Sequence, residues 1–423
     1  MRPSIIVDKW GIKTNSLLGY AVTTDDFYVS REFSYTRAGT TPGTLIDASG
    51  NLVDAVLNTP RIDYAYGSPS LLVEPAATNF IPNSSMSGTY VGGLPPFWSI
   101  SSTPGITTTV TPAGTVNGIN YIDVSVGGTS TSSGFYNLRI NASNAAIGPT
   151  TIGQQYTGSI YLALLSGVLP VAPTGYMQIQ ETNSTGGGGG TGSVTNFALS
   201  PSSQLTRYFG THTVTQNAGL THINMRWGHA LTNGVFYSYT IRIGIPQLEL
   251  GAIATSPIRT TTASLTRNAD VCSLSGASSL IGQTEGTIYA EVDVRNLENN
   301  ARIIGISDGT SDNRISLRFF APPARFNLVA TVSASGQVSI DSSAQVAGVH
   351  KIAVAYKEND YAFYLNGTQV GTDTSALVPA CTSVFLGKIE SSASTNFLND
   401  RIRSVKIFKQ RLNESDLANL TRF

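Results

Sequence analysis

Short apolar runs broken by turn residues fill the early part of the chain. Between positions 33 and 85, Leu45-Ile46, Leu52-Val53, Ile62-Asp63-Tyr64 and Leu71-Leu72-Val73 alternate with the turn signals Thr41-Pro42-Gly43, Ser49-Gly50-Asn51, Thr59-Pro60 and Gly67-Ser68-Pro69. Runs this short, bounded by Gly, Pro, Asn and Ser, predict small strands and tight turns, a compact β connector. Upstream, residues 1–32 carry Trp10 and lead into the alternating stretch 27–33. They read as an arm or first strand packed on the connector, or as a segment that docks on a partner protein.

From 79 to about 260 the pattern predicts eight strands: 106–111, 121–126, 135–140, 156–165, 176–181, 205–214, 223–227 and 237–245. Several alternate as half-buried strands do, for example Tyr237-Ser-Tyr-Thr-Ile-Arg-Ile. Eight strands in this length suit a two-sheet jelly roll. The run from Gly186 to Gly190 cannot hold a strand and is expected as an exposed flexible loop. No Lys-Ser/Thr follows it, so it is not a phosphate cradle.

Residues 256–282 have a linker's composition, although Asp270-Val271-Cys272 can pair with a neighbouring sheet. The last region gives strands at 286–294, 302–307, 314–320, 326–332, 350–357, 361–365, 383–386 and 401–410. Asn366-Gly367 supplies the positive φ angles of a type I′ hairpin turn. Asn413, with Asp416 three residues on, caps a short final helix. The expected fold is therefore all-β: an N-terminal arm and β connector (1–78), a jelly roll (79–260), a linker (261–284), then a second β-sandwich with a short C-terminal helix (285–423).

Composition supports this picture. Of 423 residues, 42 are Gly and 19 Pro, and only 12% are charged, about half the usual share. The charge is unevenly spread. No lysine occurs between Lys13 and Lys351, whereas 285–423 holds 14 acids and 14 Lys plus Arg. That shift marks a separate domain. Net charge is zero and no basic stripe exists, so nucleic acid is not a partner. Cys272 and Cys381 form no metal motif; they are either paired or two buried thiols. The most apolar window, 160–173, is interrupted by Ser166, Gly167 and Pro170. No membrane insertion is expected from it, and the start of the chain has too short an apolar run for a secretory signal.

Candidate chemistry is sparse. Gly305-Ile306-Ser307-Asp308-Gly309 fits the nucleophile-elbow pattern, with Asp341 and His350 following in order. An elbow needs a helix after the turn, yet 313–320 alternates like a strand, so a hairpin loop is expected instead. In that loop Asp308, Asp312 and Asn313 offer oxygen ligands for calcium, the one cofactor the sequence suggests; such residues are also ordinary turn formers. His212, His222 and His229 match no zinc spacing. Three acids between 80 and 260 are a poor supply for paired-carboxylate glycosidase chemistry. Trp98, Tyr136 and Trp227 are the candidate sugar-stacking rings, with core packing as the competing reading.

Two resemblances add to this. The stretches GTIYAEVDV, HKIAVAYKENDYAFYLNGTQVG and RIRSVKIFKQRLNESDLANL resemble the laminin-G-like, concanavalin A-like jelly roll, whose members often bind glycans, sometimes through calcium. NTPRIDY and LLVEPAATNFIPNSS resemble a segment of tailed-bacteriophage virion proteins. There it precedes a carbohydrate-binding-module-like jelly roll ending in a QLE-G-A-TS-I motif, filled here by Gln247 to Ile258 and followed by Thr266-Arg267-Asn268-Ala269-Asp270. The resemblance implies a non-enzymatic virion component such as a fibre or spike, a homotrimer among other virion proteins, attached to host cell-surface polysaccharide. A capsid decoration protein without a host ligand and a capsular-polysaccharide depolymerase are the other two readings.

Overall fold

The structure is a computed structural model that describes residues 2–13, 15–22, 28–141, 147–169, 176–187, 192–197, 199–297, 300–388 and 396–423. It is all-β apart from a 3-10 turn and one short helix, and every strand-to-strand ladder is antiparallel. The chain forms two compact units, but not the sequential ones expected. One unit comprises residues 1–76 and 268–423; the other comprises 77–267.

In the first unit both chain ends share one sheet. Its order is Ser335–Asp341, Arg325–Val332, Arg314–Phe320, Ala301–Ser307, Ser383–Leu386, Val271–Leu274, Tyr28–Thr36, Ser16–Val22, Ile5–Lys13, Asp400–Phe408, Glu285–Val294, Gly348–Lys357, Tyr361–Leu365 and Thr368–Asp373. The N-terminal residues are thus strands, as one of the readings has it, but they are built into the main sheet rather than laid on the connector as a loose arm. They form a three-stranded meander set between Val271–Leu274 and Asp400–Phe408, with Ile5 opposite Ile407 and Tyr35 opposite Cys272. The physical reason is apolar burial: Ile5, Val7, Leu17, Phe33 and Tyr35 join one core with Ile288, Leu317 and Val405. Phe27 and the side chain of Trp10 lie outside the described residues.

The residues 261–284 are not a linker either. Leu265–Arg267 and Val271–Leu274 are strands of different units, and Ile281 is in the core. Their Ser and Thr content disguised short strands as loop. Cys272 and Cys381 are buried free thiols. Burial raises both, Cys381 to about 12, so neither is a reactive thiolate.

The expected hairpin turn is present, with φ of 51° at Asn366 and 85° at Gly367. Ile352, Val354 and Tyr356 face the main core, whereas Ala353 and Ala355 face a second one with Tyr364 and Leu417. Leu417 belongs to the helix Glu414–Thr421, whose cap Asn413 accepts the Asp416 N–H at 2.9 Å. The helix explains why this strand reads as an unbroken apolar run: both its faces are covered.

The second unit is a sandwich of two five-stranded sheets. One runs Ile106–Val116, Ile119–Thr129, Phe236–Leu250, Gln155–Gly167 and Thr206–Thr213. The other runs Gly192–Asn196, Tyr176–Thr182, His222–Leu231, Gly134–Arg139 and Ser99–Ser101. All eight expected strands are there. Residues 188–191, which hold the end of the glycine run, lie outside the described residues. The unit is closed where Ala77–Asn79 pairs with Leu265–Arg267. Polar bonds fix this closure: Asn79 Oδ1 accepts from the Ile81 and Leu248 N–H groups, and Gln247 Oε1 accepts the Ile258 N–H at 2.6 Å.

A buried ionic lock fastens the connector in the first unit. Asp270 accepts from Tyr35 Oη at 2.6 Å, Arg37 at 3.2 Å, the Glu74 N–H at 3.0 Å and Arg61. Arg61 also bridges to Glu74 at 2.7 Å and donates to the Thr44 carbonyl at 2.9 Å. Burial alone would lower the Arg61 pKa; Asp270 and Glu74 outweigh it and raise it. Unpaired charge at this depth would cost several kcal/mol per ion, on the order that desolvation sets, so each member requires the others.

Candidate functional site

The three sugar-stacking candidates are core residues. Trp98 is 6% exposed, and Tyr136 and Trp227 are 0% exposed. Tyr136 stacks on His229 at 5.5 Å and meets Trp227 edge-on at 6.2 Å, while Trp98 Nε1 donates to the Asn83 carbonyl at 3.2 Å. A ring buried on both faces has none left for a sugar, so the competing reading of core packing holds for all three. The alternation of Tyr136, Leu138 and Ile140 was the signal: all three point inward.

The calcium candidates form a self-contained turn. Asp308 Oδ1 accepts from the Thr310 N–H and hydroxyl at 2.8 and 2.6 Å, and Oδ2 accepts from Asn313 at 2.9 Å. Slight burial would raise the Asp308 carboxyl, but these bonds outweigh it and hold it below the usual range. Asn313 Oδ1 accepts the Ser333 N–H, and Asp312 Oδ1 accepts from Ser311. The carboxylates thus close the turn, and Asp308, Asp312 and Asn313 are spent on it. Among the described residues, no three His, Cys, Asp or Glu are placed to hold a metal ion.

Ser307 ends a strand and its Oγ accepts the Gly309 N–H at 3.1 Å. Strand Arg314–Phe320 follows directly, so the segment is the hairpin that its alternation predicts. His350 is held by the Val346 carbonyl and Asn366, and Asp341 by Arg325.

A polar sheet face next to this hairpin was missed. The strands Ala301–Ser307, Arg314–Phe320 and Arg325–Val332 send Ile304, Ile306, Ile315, Leu317, Phe326 and Leu328 into the core. The pleat then puts Arg314, Arg318, Phe320, Arg325 and Asn327 on the opposite side, and a bulge between Arg302 and Ile304 brings Arg302 to that side as well. Register sets Arg302, Arg318, Asn327 and Asp341 in one row across four strands. Arg318 Nε and Nη2 donate to Asn327 Oδ1 at 3.0 and 2.7 Å. Asn327 Nδ2 donates to Asp341 at 2.7 Å, and Arg325 pairs with the same carboxylate at 3.0 Å. The Arg318 guanidinium lies 4.6 Å above the Phe320 ring. Burial, then the charges of Arg302 and Arg314, push the Arg318 pKa down to about 10.

Such a face offers fixed planar donors beside an aromatic ring, a combination suited to an oxygen-rich or anionic ligand. Four arginines between 302 and 325, with Arg314 and Arg318 on the same strand face, were a readable signal.

Residues 266–418 match the family model described as the concanavalin A-like lectin/glucanases superfamily, of the laminin G type. That stretch is similar to the concanavalin A-like lectin family, the resemblance its strands carry. The N-terminal meander lies in the same sheet as the strands of that stretch. No curated protein sequence matches the chain. Among solved structures, the carbohydrate-binding module CBM40 of the Ruminococcus gnavus IT-sialidase, bound to alpha2,3 sialyllactose, aligns at 16% identity over 35% of this chain and 87% of that one, with a TM-score of 0.31. Domain 4 of the Geobacillus stearothermophilus arabinanase AbnA, in complex with arabinotriose, aligns at 16% identity over 36% and 73%, TM-score 0.30. Mouse laminin alpha1 domains LG4-5 align at 12% identity over 73% and 94%, TM-score 0.26.

Proposed function

We propose that this chain is a non-enzymatic attachment protein of a bacteriophage virion that binds host-surface glycan through the arginine-bearing face of its lectin-like domain. The observation that carries the reading is the row of Arg302, Arg318 and Asn327 beside Phe320 on a concanavalin A-like sheet. The virion assignment is supported by the resemblance of NTPRIDY, LLVEP and the QLE-G-A segment to tailed-phage proteins. Attachment works by adding weak contacts across the copies of an assembly, a trimer by the same resemblance.

A glycan array probed with the full chain tests this. The expected result is retention of bacterial surface polysaccharide without reducing-end release, weakened at least tenfold by R318A. Reducing-end release would replace the reading with a depolymerase. No binding, together with a place on the head shell in a particle reconstruction, would replace it with a decoration protein.

A further inference from the structure

The unit 77–267 contains six arginines, no lysine and three acids. All three acids are engaged. Asp123 holds Arg242 at 2.8 and 2.9 Å. Glu181 accepts from Thr215 and Asn217 and meets His212 at 2.8 Å. Glu249 is buried and accepts from Thr255. Yet Arg139 and Arg226 stand directly opposite each other on the paired strands Gly134–Arg139 and His222–Leu231. Like charges in that position destabilise a sheet, and this unit has no carboxylate left to compensate them.

The surroundings orient the pair rather than neutralise it. Arg226 Nε donates to Gln178 Oε1 at 2.6 Å, which fixes the plane of its guanidinium. Arg139 is half-buried and pairs through its backbone with Arg226 and Ser99, while its side chain shows no hydrogen bond or ion pair among the described residues. Tyr176 lies across Gly228 and donates to Asn137 Oδ1 at 2.7 Å. A Cβ at Gly228 would come 2.1 Å from the Tyr136 carbonyl and 3.1 Å from the Tyr176 hydroxyl, so the bridge needs glycine there. Burial, and then the charge of Arg139, lowers the pKa of Arg226, against an opposing effect of Tyr176. On the same strand face as Arg139, Phe135 is 57% exposed, about 13 Å away at strand rise.

We infer that the Arg139–Arg226 pair is a second binding site, which takes the carboxylate of an acidic polysaccharide while Phe135 meets the apolar face of a sugar further along. Two guanidinium groups match one planar carboxylate. A lone pair without a wider basic field suits charges spaced by neutral sugar rather than a continuous polyphosphate. The site lies within 77–267 and does not depend on the arginine face of the lectin-like domain.

The test is titration calorimetry of the full chain with tetragalacturonic acid, an α2,8-linked sialic acid tetramer and the methyl ester of each. The expected result is binding of at least one acid form, at least tenfold weaker as its ester, at higher salt, or in R139Q and in R226Q. R226K should not restore it, because an ammonium lacks the planar fork, and R318A should leave it unchanged. Folding of each variant is verified by its melt, and R139Q, which does not break the Arg226–Gln178 bond, keeps the test valid where R226Q unfolds. Equal binding of acid and ester, full binding by R139Q, or no binding of either acid would overturn the site. Loss through R318A alone would assign the acid to the lectin-like domain instead.

Discussion

Asp400 is a buried carboxyl held by two backbone donors, the N–H groups of Arg295 and Asn296 at 2.9 and 3.0 Å. Burial dominates and pushes its pKa from 3.8 up to about 7, although those bonds and Arg401 oppose it. The folded state therefore binds the proton more tightly than the unfolded chain. The stability this group contributes is fully present below about pH 4 and is lost as pH rises through 7. A shift of that size corresponds to at most about 4 kcal/mol. D400N, which cannot ionise, should gain on the wild type in thermal melts as pH goes from 4 to 8. Taking the difference between the two proteins cancels His350, whose lowered pKa works in the opposite direction. A constant difference across that range would refute the assignment.

At this scale the sequence was half legible. Alternation showed that Tyr136, Leu138 and Ile140 share a face, and their company should have placed Tyr136 inside. It equally placed Phe135, Asn137 and Arg139 together on the other face. What it could not show was that Arg226, on a strand more than eighty residues later, stands in register with Arg139, because register is a property of pairing and not of pattern.

Strands were the most legible level. Arg314–Phe320, Tyr361–Leu365 and Ser383–Leu386 have the ends that their alternation and flanking turns predict. Short strands such as Ser99–Ser101 and Leu265–Arg267 were missed, since three residues leave no period to read. The N-terminal meander was misread for another reason: Ser4 bonds the Ile407 carbonyl across a separation of 403 residues. Nothing local announces such a neighbour. A chain beginning at residue 37 should show what the meander does. Without it, Val271–Leu274 and the Val405–Ile407 part of Asp400–Phe408 become open edges, prone to aggregate, and Asp270 loses Tyr35. The expected outcome is a soluble yield well below wild type, and fast amide exchange in Val405–Ile407, the part that pairs with the meander, in what remains. Native exchange protection there would refute a structural role for the meander.

For the whole molecule, the order of domains along the chain is misleading. Charge density separates a low-charge middle from a charged end, and the first 76 residues, 14 of them charged, match that end in composition as they do in the fold. The unit 77–267 has its own core, two complete sheets and its own closing strand pair. Expressed alone, it should fold and unfold in one cooperative transition, seen by near-UV circular dichroism as fixed aromatic packing around Trp227. A fragment with strand content but no near-UV signal would show that it needs its host.

The lock around Asp270 bears on how this chain can change. Glu74 and Asp270 exchange backbone bonds across 196 positions of sequence, through Glu74 N to Asp270 Oδ2 and Asp270 N to the Glu74 carbonyl. Arg61 grips both. The clamp therefore seals the host unit on either side of the insertion, whatever is carried between. Ala77 opposite Arg267 returns the insert's ends to strand spacing, about 5 Å. Any module whose ends come back that close could be grafted in as a cassette without reopening the host. Descendants of such a chain would be free to trade cargo wholesale, while Tyr35, Arg37, Arg61, Glu74 and Asp270 would have to be inherited as a set.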